Sequence, residues 1–399
     1  MAENVAFGKI SPVAGCALGT ICGSDAVTGH ETEAAGAEAA AAPGADLAAG
    51  IAGAAGIITL NRPRALNALT SAMRAEIAGA FAAWARDPAV YAALIVSATE
   101  RAFCAGGDVR EMAELGQRRP DAARDLLASE YALNWQLDCF AKPTVALIDG
   151  VVMGSGVGIT LYGTHRVAGE RYRFAMPEAG IGLFPDDGVG WVFARMPDEI
   201  GMYLALTGRP LGRADAYRLG LVTHCIPAVR FAAIVDAIKA ADPVDPVLDG
   251  LNEEEGPGDL EALRPAIARC FAADSVEAIV SRLEAERGQH RTWAESVLQD
   301  LARYSPTSLK VTHRHVRLAR QLDLGATLAQ DYRLATRFMQ NHDFYEGVRA
   351  ALIDRDHAPK WRPNRLADVS DALLDAYFAP LGADELQLVT RAEMQRVRA

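Results

Sequence analysis

The chain has 399 residues and a formal net charge of −11 at pH 7, and half of its residues are hydrophobic. This length and composition favour a globular protein with a large apolar core and about two domains. The negative charge argues against general nucleic-acid binding, and no apolar run is long enough to cross a membrane.

The first segment, residues 1–52, is rich in Ala and Gly and is interrupted by Glu, Pro and Asp. It has too few large apolar side chains to build a core, so we expect a low-complexity, disordered leader. It lacks the basic and apolar pattern of a secretory signal and is not Arg-rich, which favours a cytoplasmic protein. Deletion of residues 2–50 is therefore predicted to leave stability and activity nearly unchanged.

The first predicted strand covers residues 57–60, Ile-Ile-Thr-Leu, and an Arg-Pro-Arg loop follows it at residues 62–64. Thr70 is a suitable N-cap for the next element. That element is predicted to be a helix, because its large apolar residues recur at helical spacing: Met73, Ile77, Phe81 and Trp84.

Two further apolar runs, residues 93–96 and 144–148, are predicted strands, and each leads into a glycine cluster. The clusters are Ala-Phe-Cys-Ala-Gly-Gly-Asp at 102–108 and Asp-Gly-Val-Val-Met-Gly-Ser-Gly-Val-Gly at 149–158. A glycine turn between a buried strand and a helix exposes backbone N–H groups, which can hold the oxyanion of an acyl-transfer or enolate intermediate. Tight turns that bind nothing would give the same pattern. A dinucleotide-binding fingerprint is excluded, because Ile159 stands where its third glycine is needed.

Two acidic residues eight positions apart, Glu178 and Asp186, lie in a segment punctuated by Gly and Pro with apolar residues between them. Burial raises the pKa of such carboxyls, and two acids with separated pKa values can divide the roles of base, nucleophile and acid. The alternative is a surface turn with two solvated acids.

Strand patterns fade beyond residue 230, and residues 242–259 are acidic and rich in Pro and Gly, which predicts a loop or linker. Leu, Ala and Arg then recur at helical spacing. We therefore expect a core at residues 53–230 and a helical C-terminal region at residues 231–399, packed on that core.

Taken in this order, the motifs resemble those of the crotonase superfamily, also called the enoyl-CoA hydratase/isomerase superfamily, over residues 54–390. The resemblance implies an α/β fold, a crotonase-like spiral of β-β-α turns with a helical C-terminal region. It also implies that the N–H groups of Gly107 and Ser155 form an oxyanion hole, and that Glu178 and Asp186 are the catalytic acids. Ser155 stands where the family usually has Gly, and its side chain reduces the space beside the oxyanion hole.

The resemblance also implies an acyl-CoA substrate, with no other cofactor and no metal. We expect no nucleic-acid or membrane partner, and a homo-oligomer is compatible with the sequence. Arg62 and Arg64, and less so Arg101, are candidates for the CoA phosphates. The resemblance places further substrate contacts at Glu130, Arg64, Ala65, Leu66, Ala105, Gly106 and Asp108, although an exposed helix position is an equal alternative for Glu130.

Within the superfamily, the chain is most similar to a hydrolase branch that cleaves short 3-hydroxyacyl-CoA thioesters in valine breakdown. Gly158 stands where hydratases carry the first of two catalytic glutamates, and Gly-Ile-Gly-Leu-Phe-Pro-Asp at 180–186 is similar to the hydrolase pattern. Asp187 departs from the Val usual in that pattern, and either perturbs Asp186 or points to solvent. The alternatives are an enoyl-CoA hydratase or isomerase and a CoA-binding protein without turnover.

Overall fold

The computed structural model describes residues 45–396, which form two sheets surrounded by helices. The strands are β1 Leu47–Ala52, β2 Ala55–Leu60, β3 Ala92–Ser97, β4 Ala102–Cys104, β5 Thr144–Ile148, β6 Val151–Met153, β7 His165–Ala168, β8 Arg173–Ala175, β9 Leu211–Gly212 and β10 His224–Cys225.

The helices fall into two sets along the chain. Those among the strands are α1 Ser71–Trp84, α2 Val109–Arg118, α3 Pro120–Cys139, α4 Ser155–Leu161, α5 Val189–Phe193, α6 Ile200–Thr207 and α7 Arg213–Arg218. Those after the last strand are α8 Phe231–Lys239, α9 Val244–Asp249, α10 Arg264–Phe271, α11 Val276–Ala285, α12 Arg291–Arg303, α13 Pro306–Ala319, α14 Leu324–Phe338, α15 His342–Val348, α16 Asp371–Phe378 and α17 Arg391–Arg396.

From β3 to β8, successive strands of the chain alternate between the two sheets. One sheet has the order β1-β2-β3-β5-β7-β10 and the other the order β4-β6-β8-β9. Within each sheet the strands of successive turns pair in parallel, with Leu94 opposite Val145 in β3 and β5 and Val152 opposite Phe174 in β6 and β8. Each turn thus adds one strand to each sheet before a helix follows, which confirms the predicted spiral of β-β-α turns.

The prediction of a disordered leader over residues 1–52 is wrong for its last residues, and residues 1–44 lie outside the described part. Strand β1 pairs antiparallel with β2 from Leu47 opposite Leu60 to Ala52 opposite Ala55. Gly53, at φ +56, makes the tight turn between them. The pairing with β2 supplies the order that the Ala- and Gly-rich composition does not, and Leu47 is buried.

Because β1 is ordered, the prediction that deletion of residues 2–50 leaves stability nearly unchanged is replaced by an expected loss of stability. A chain that starts at residue 51 loses most of β1, its ladder of hydrogen bonds and buried Leu47, whereas a chain that starts at residue 45 keeps them. We expect the shorter chain to be less stable by about 2–4 kcal/mol, from one buried leucine and several backbone hydrogen bonds. Denaturant unfolding of the two truncated proteins, side by side, measures this difference. Equal midpoints would show that β1 adds nothing to stability.

Two other local predictions have opposite outcomes. The helix after Thr70 is confirmed as α1, and the Thr70 side chain accepts a hydrogen bond from the Met73 N–H. The predicted loop at 242–259 is wrong in part, because Val244–Asp249 forms α9. Val244 and Leu248 on that helix are buried against the first sheet's outer apolar cluster, so packing outweighs the local Pro content.

The C-terminal region is helical, as predicted, and no strand occurs in it between residues 231 and 396. Its apolar side chains join the core of the spiral: Phe271 and Leu309 lie in the same buried cluster as Leu204. In residues 45–396 no helix is long and apolar enough to cross a membrane.

Candidate active site

A cavity of about 830 Å³ lies where the glycine turns after β4 and β6 meet the segment after β8. It is within the usual size range of a small-molecule site. All eleven predicted site residues line it: Glu178, Asp186, Gly107, Ser155, Glu130, Arg64, Ala65, Leu66, Ala105, Gly106 and Asp108. The fold therefore brings the predicted residues together, while the role of each stays a prediction.

Two backbone N–H groups in this cavity are free to bind a ligand. Leu69 forms a bridge across Gly107, in which its N–H donates to the Gly106 carbonyl and its own carbonyl accepts from the Asp108 N–H. The Gly107 N–H lies between these bonds and donates to no group within residues 45–396. Ser155 is the first residue of α4, so its N–H has no partner inside the helix.

The carboxylate of Glu178 lies against both glycine turns. A Cβ atom placed on Gly154 would be 3.2 Å from Glu178 Oε1 and 3.4 Å from the Gly106 Cα. Gly154 also has φ +46, which favours glycine. These approaches place the carboxylate beside Gly154 and the Gly106 turn, which directly precede Ser155 and Gly107, and acyl transfer uses such a carboxylate close to N–H donors.

Burial sets the proton affinity of Glu178. The side chain is buried, and its Oε2 atom has no hydrogen-bond partner among the described residues. Loss of water raises the pKa of Glu178 well above its usual value, and the nearby charge of Asp186 adds to this effect. A carboxyl of this kind is a stronger base once it loses its proton, which suits a group that activates water.

Asp186 is the second buried acid of the cavity, and Tyr131 holds it. The Tyr131 hydroxyl donates to Asp186 Oδ2 at 2.7 Å. Burial first, and the charge of Glu130 second, raise the pKa of Asp186 to about 8, although the Tyr131 hydrogen bond lowers it. Glu178 and Asp186 are therefore both buried, and the alternative of a surface turn with two solvated acids is wrong.

The raised pKa of Asp186 predicts a stability effect. An acid with a raised folded pKa keeps its proton more tightly in the folded protein, so stability is lost as pH rises from about 4 to about 8. Asp186→Asn has no charge to bury and keeps an acceptor for Tyr131. We expect it to be more stable than the wild type by up to about 5 kcal/mol at pH 8, the free energy that corresponds to a pKa raised from about 4 to about 8, and by little at pH 4. Thermal unfolding at both pH values measures the difference, and a constant difference would contradict the assignment.

Glu130 is buried, which rules out the exposed position considered for it. Arg74 Nη1 lies 3.1 Å from Glu130 Oε1, and the two side chains are each 3% exposed. The Ser155 hydroxyl also donates to Glu130 Oε1. The side chain of Ser155 is thus turned towards Glu130. A Cβ atom placed on Gly107 would be 2.9 Å from the Ser155 Oγ atom.

Asp187 is buried and does not line the cavity, so it does not point to solvent. Burial and the charge of Asp186 raise the pKa of Asp187 well above its usual value. A Cβ atom on Gly158 would be 2.8 Å from Asp187 Oδ1 and 2.5 Å from Asn134 Nδ2. The place where the hydratase pattern puts its first glutamate is therefore filled by the side chains of Asp187 and Asn134.

Of the predicted phosphate ligands, Arg62 and Arg64 line the cavity, and each forms an ion pair. Arg62 lies 2.8 Å from Asp108 and 3.3 Å from Asp46, so it ties the β2 loop to its neighbours. Arg101 does not line the cavity. Arg64 does line it and is 66% exposed, with its guanidinium 2.8 Å from Asp46. Cys104, beside the first glycine turn, is buried, and burial raises the pKa of its side chain to about 12, so it stays a thiol.

Sequence reasoning missed the residues that support the site from a distance. Arg74 lies on the apolar face of α1. A charged residue at such a position indicates a buried partner of opposite charge, and this is the sequence pattern that could have revealed it. Gly188, which directly follows Asp186 and Asp187 in the chain, donates its N–H to the carboxylate of Asp331 in α14 at 2.7 Å. His315 Nε2 lies 2.9 Å from the other Asp331 oxygen, and both side chains are fully buried. No local pattern pointed to these contacts.

A spiral core with free N–H groups at two glycine turns and a buried carboxyl beside them defines an enzyme of the crotonase fold. A family model described as enoyl-CoA hydratase/isomerase matches residues 55–378. The chain is 40% identical to the 3-hydroxyisobutyryl-CoA hydrolase, mitochondrial, of Xenopus tropicalis over 347 residues, 84% of this chain and 89% of that protein. The Danio rerio protein of the same name is 41% identical over 346 residues, with 84% and 90% covered. The chain therefore belongs to the enoyl-CoA hydratase/isomerase family.

Solved structures agree with this assignment. A carnitinyl-CoA dehydratase from Mycobacterium thermoresistibile superposes with a TM-score of 0.81 at 38% identity, covering 86% of this chain and 98% of that one. An enoyl-CoA hydratase from Rhodobacter sphaeroides gives a TM-score of 0.80 at 36% identity, with 86% and 100% covered. The fold is thus shared by proteins whose names state different reactions.

Proposed function

We propose that this protein hydrolyses short 3-hydroxyacyl-CoA thioesters, with 3-hydroxyisobutyryl-CoA as its substrate in valine breakdown. Products are 3-hydroxyisobutyrate and CoA. The names of relatives that cover 84% of the chain support this reaction. The observation that carries it is the space at Gly158, where Asp187 and Asn134 leave no room for a second glutamate.

The geometry supports a role for each group in this reaction. The thioester carbonyl oxygen accepts from the Gly107 and Ser155 N–H groups, which stabilise the negative charge that develops when an oxygen nucleophile adds to the carbon. One such donor is typically worth about 2.7–4 kcal/mol of transition-state stabilisation. Asp186 positions water or holds the substrate's 3-hydroxyl.

Glu178 supplies the nucleophile by one of two routes. In the first, it takes a proton from water, whose oxygen bonds to the carbonyl carbon. In the second, its own oxygen bonds to that carbon and forms a mixed anhydride, which water then cleaves. In both routes the C–S bond breaks, and the sulfur leaves as the thiolate of CoA and takes up a proton.

Enoyl-CoA hydration is the second candidate, because two solved structures that are 38% and 36% identical to this chain are named as a dehydratase and a hydratase. Release of free thiol from 3-hydroxyisobutyryl-CoA, assayed beside loss of crotonyl-CoA absorbance, separates the two reactions. We expect thiol release and no hydration. Hydration without thiol release would favour the second candidate, and neither activity would favour a CoA-binding protein without turnover.

The cellular location is proposed separately from the reaction. The relatives' names state mitochondrial for those proteins. We retain the cytoplasmic assignment from the composition of residues 1–44, which lie outside the described part of the chain. Fractionation of cells that express the full chain tests it.

A further inference from the structure

The cavity continues away from the catalytic acids. A second cavity of about 590 Å³ shares Arg110, Glu114, Leu352 and Arg355 with the first. Its outer part includes Ile353, whose side chain is exposed. The two cavities therefore form one groove, which leads from the acids to the surface between α2 and the segment after α15.

The arginines along this groove differ in whether a carboxylate neutralises them. Arg62 and Arg64 both pair with Asp46, at 3.3 and 2.8 Å. Arg110 and Arg355 make no ion pair within residues 45–396. The positive charge that remains unpaired in the groove is thus on its outer, C-terminal side.

Arg355 is held in place by its chain neighbours. Asp354 and Asp356, on either side of it, both accept from Arg349 Nη1, at 2.5 and 2.7 Å. Glu346 binds the rest of the Arg349 guanidinium with two contacts of 2.9 Å. Arg355 itself has φ +57, a strained conformation for any residue but glycine. The ion pairs of Arg349 fix the segment, while the Arg355 side chain has no polar partner among the described residues.

Arg110 anchors the same segment to α2. Its guanidinium donates to the carbonyl of Leu352, which lies in a π-helical turn, Arg349–Ile353. Such turns are rare and are frequent at functional sites. Since α2 begins directly after Asp108, this contact ties the C-terminal wall of the groove to the Gly107 turn.

We propose that Arg355, assisted by Arg110, binds the phosphates at the nucleotide end of a CoA thioester. The inference rests on the proposed function, which places the acyl end beside Glu178 and leaves the phosphates to lie further out. A guanidinium matches phosphate oxygens with two parallel hydrogen bonds. In a chain of net charge −11, a polyanionic ligand needs such local positive charge.

Calorimetric titration with free CoA and with pantetheine, which lacks phosphates, tests this binding without turnover. We expect Arg355→Ala to bind CoA roughly tenfold more weakly than the wild type, the worth of one charged hydrogen-bonding contact. Pantetheine should bind both proteins equally. Arg355→Lys should recover part of the loss, and Arg365→Ala, a matched change of an exposed arginine outside the groove, should bind CoA like the wild type.

Equal CoA binding by Arg355→Ala and the wild type would overturn the inference, and so would an equal loss for pantetheine, which would indicate a structural effect. The proposed function is tested separately by thiol release from the thioester. Thiol release by a wild type whose CoA affinity does not depend on Arg355 would leave that function standing and remove this inference alone. A wild type that binds no CoA would contradict both.

Discussion

Glu178→Gln should lower kcat for 3-hydroxyisobutyryl-CoA hydrolysis by roughly a thousandfold or more, because an amide can neither take a proton from water nor attack the thioester. The fold should be unaffected. The Glu178 Oε2 atom has no hydrogen-bond partner to lose within the described part of the chain, and the variant removes a buried ionisable group. We therefore expect a melting temperature equal to or above that of the wild type.

Steady-state thiol release and thermal unfolding of the same preparation check both parts of this expectation. Glu76→Gln is the matched control, since Glu76 is an exposed residue of α1 that does not line the cavity. It should keep wild-type turnover. Near-wild-type turnover by Glu178→Gln would show that the catalytic assignment is wrong, whereas a lower melting temperature would show a structural role for the carboxyl.

Asp186→Ala should change substrate selectivity. If the Asp186 carboxyl holds the 3-hydroxyl, the variant loses about ten- to a hundredfold more activity on 3-hydroxyisobutyryl-CoA than on isobutyryl-CoA, which has no such hydroxyl. Tyr131→Phe removes the hydrogen bond that orients Asp186, so it should shift selectivity in the same direction by a smaller factor. Ratios of kcat/KM for the two substrates measure the effect.

Equal losses on both substrates would leave Asp186 with water positioning alone. A loss on neither substrate would remove it from the mechanism. Asp187 would not replace it as a contact of the substrate, because Asp187 is buried behind the cavity and packs over Gly158.

The predictions from sequence succeeded where a motif is local. The glycine turns and the Glu178 segment each depend on a few consecutive residues, and the spiral brings these pieces to one cavity. Strand β1 was missed because its order comes from pairing with β2 and not from its own composition. Arg74 and Tyr131 were missed because they act through partners that are distant in the chain, which one sequence does not reveal. Arg355 was missed because only the fold brings its segment to the wall of the cavity.

Isotope labelling tests the central claim, that the enzyme cleaves the thioester with water and does not add or remove water in the acyl chain. The wild-type enzyme is incubated with 3-hydroxyisobutyryl-CoA in H₂¹⁸O, and fragmentation mass spectrometry locates the label. We expect ¹⁸O in the carboxylate of free 3-hydroxyisobutyrate and an unlabelled 3-hydroxyl. Label in the 3-hydroxyl of intact thioester, with no free acid formed, would indicate reversible dehydration and contradict the account.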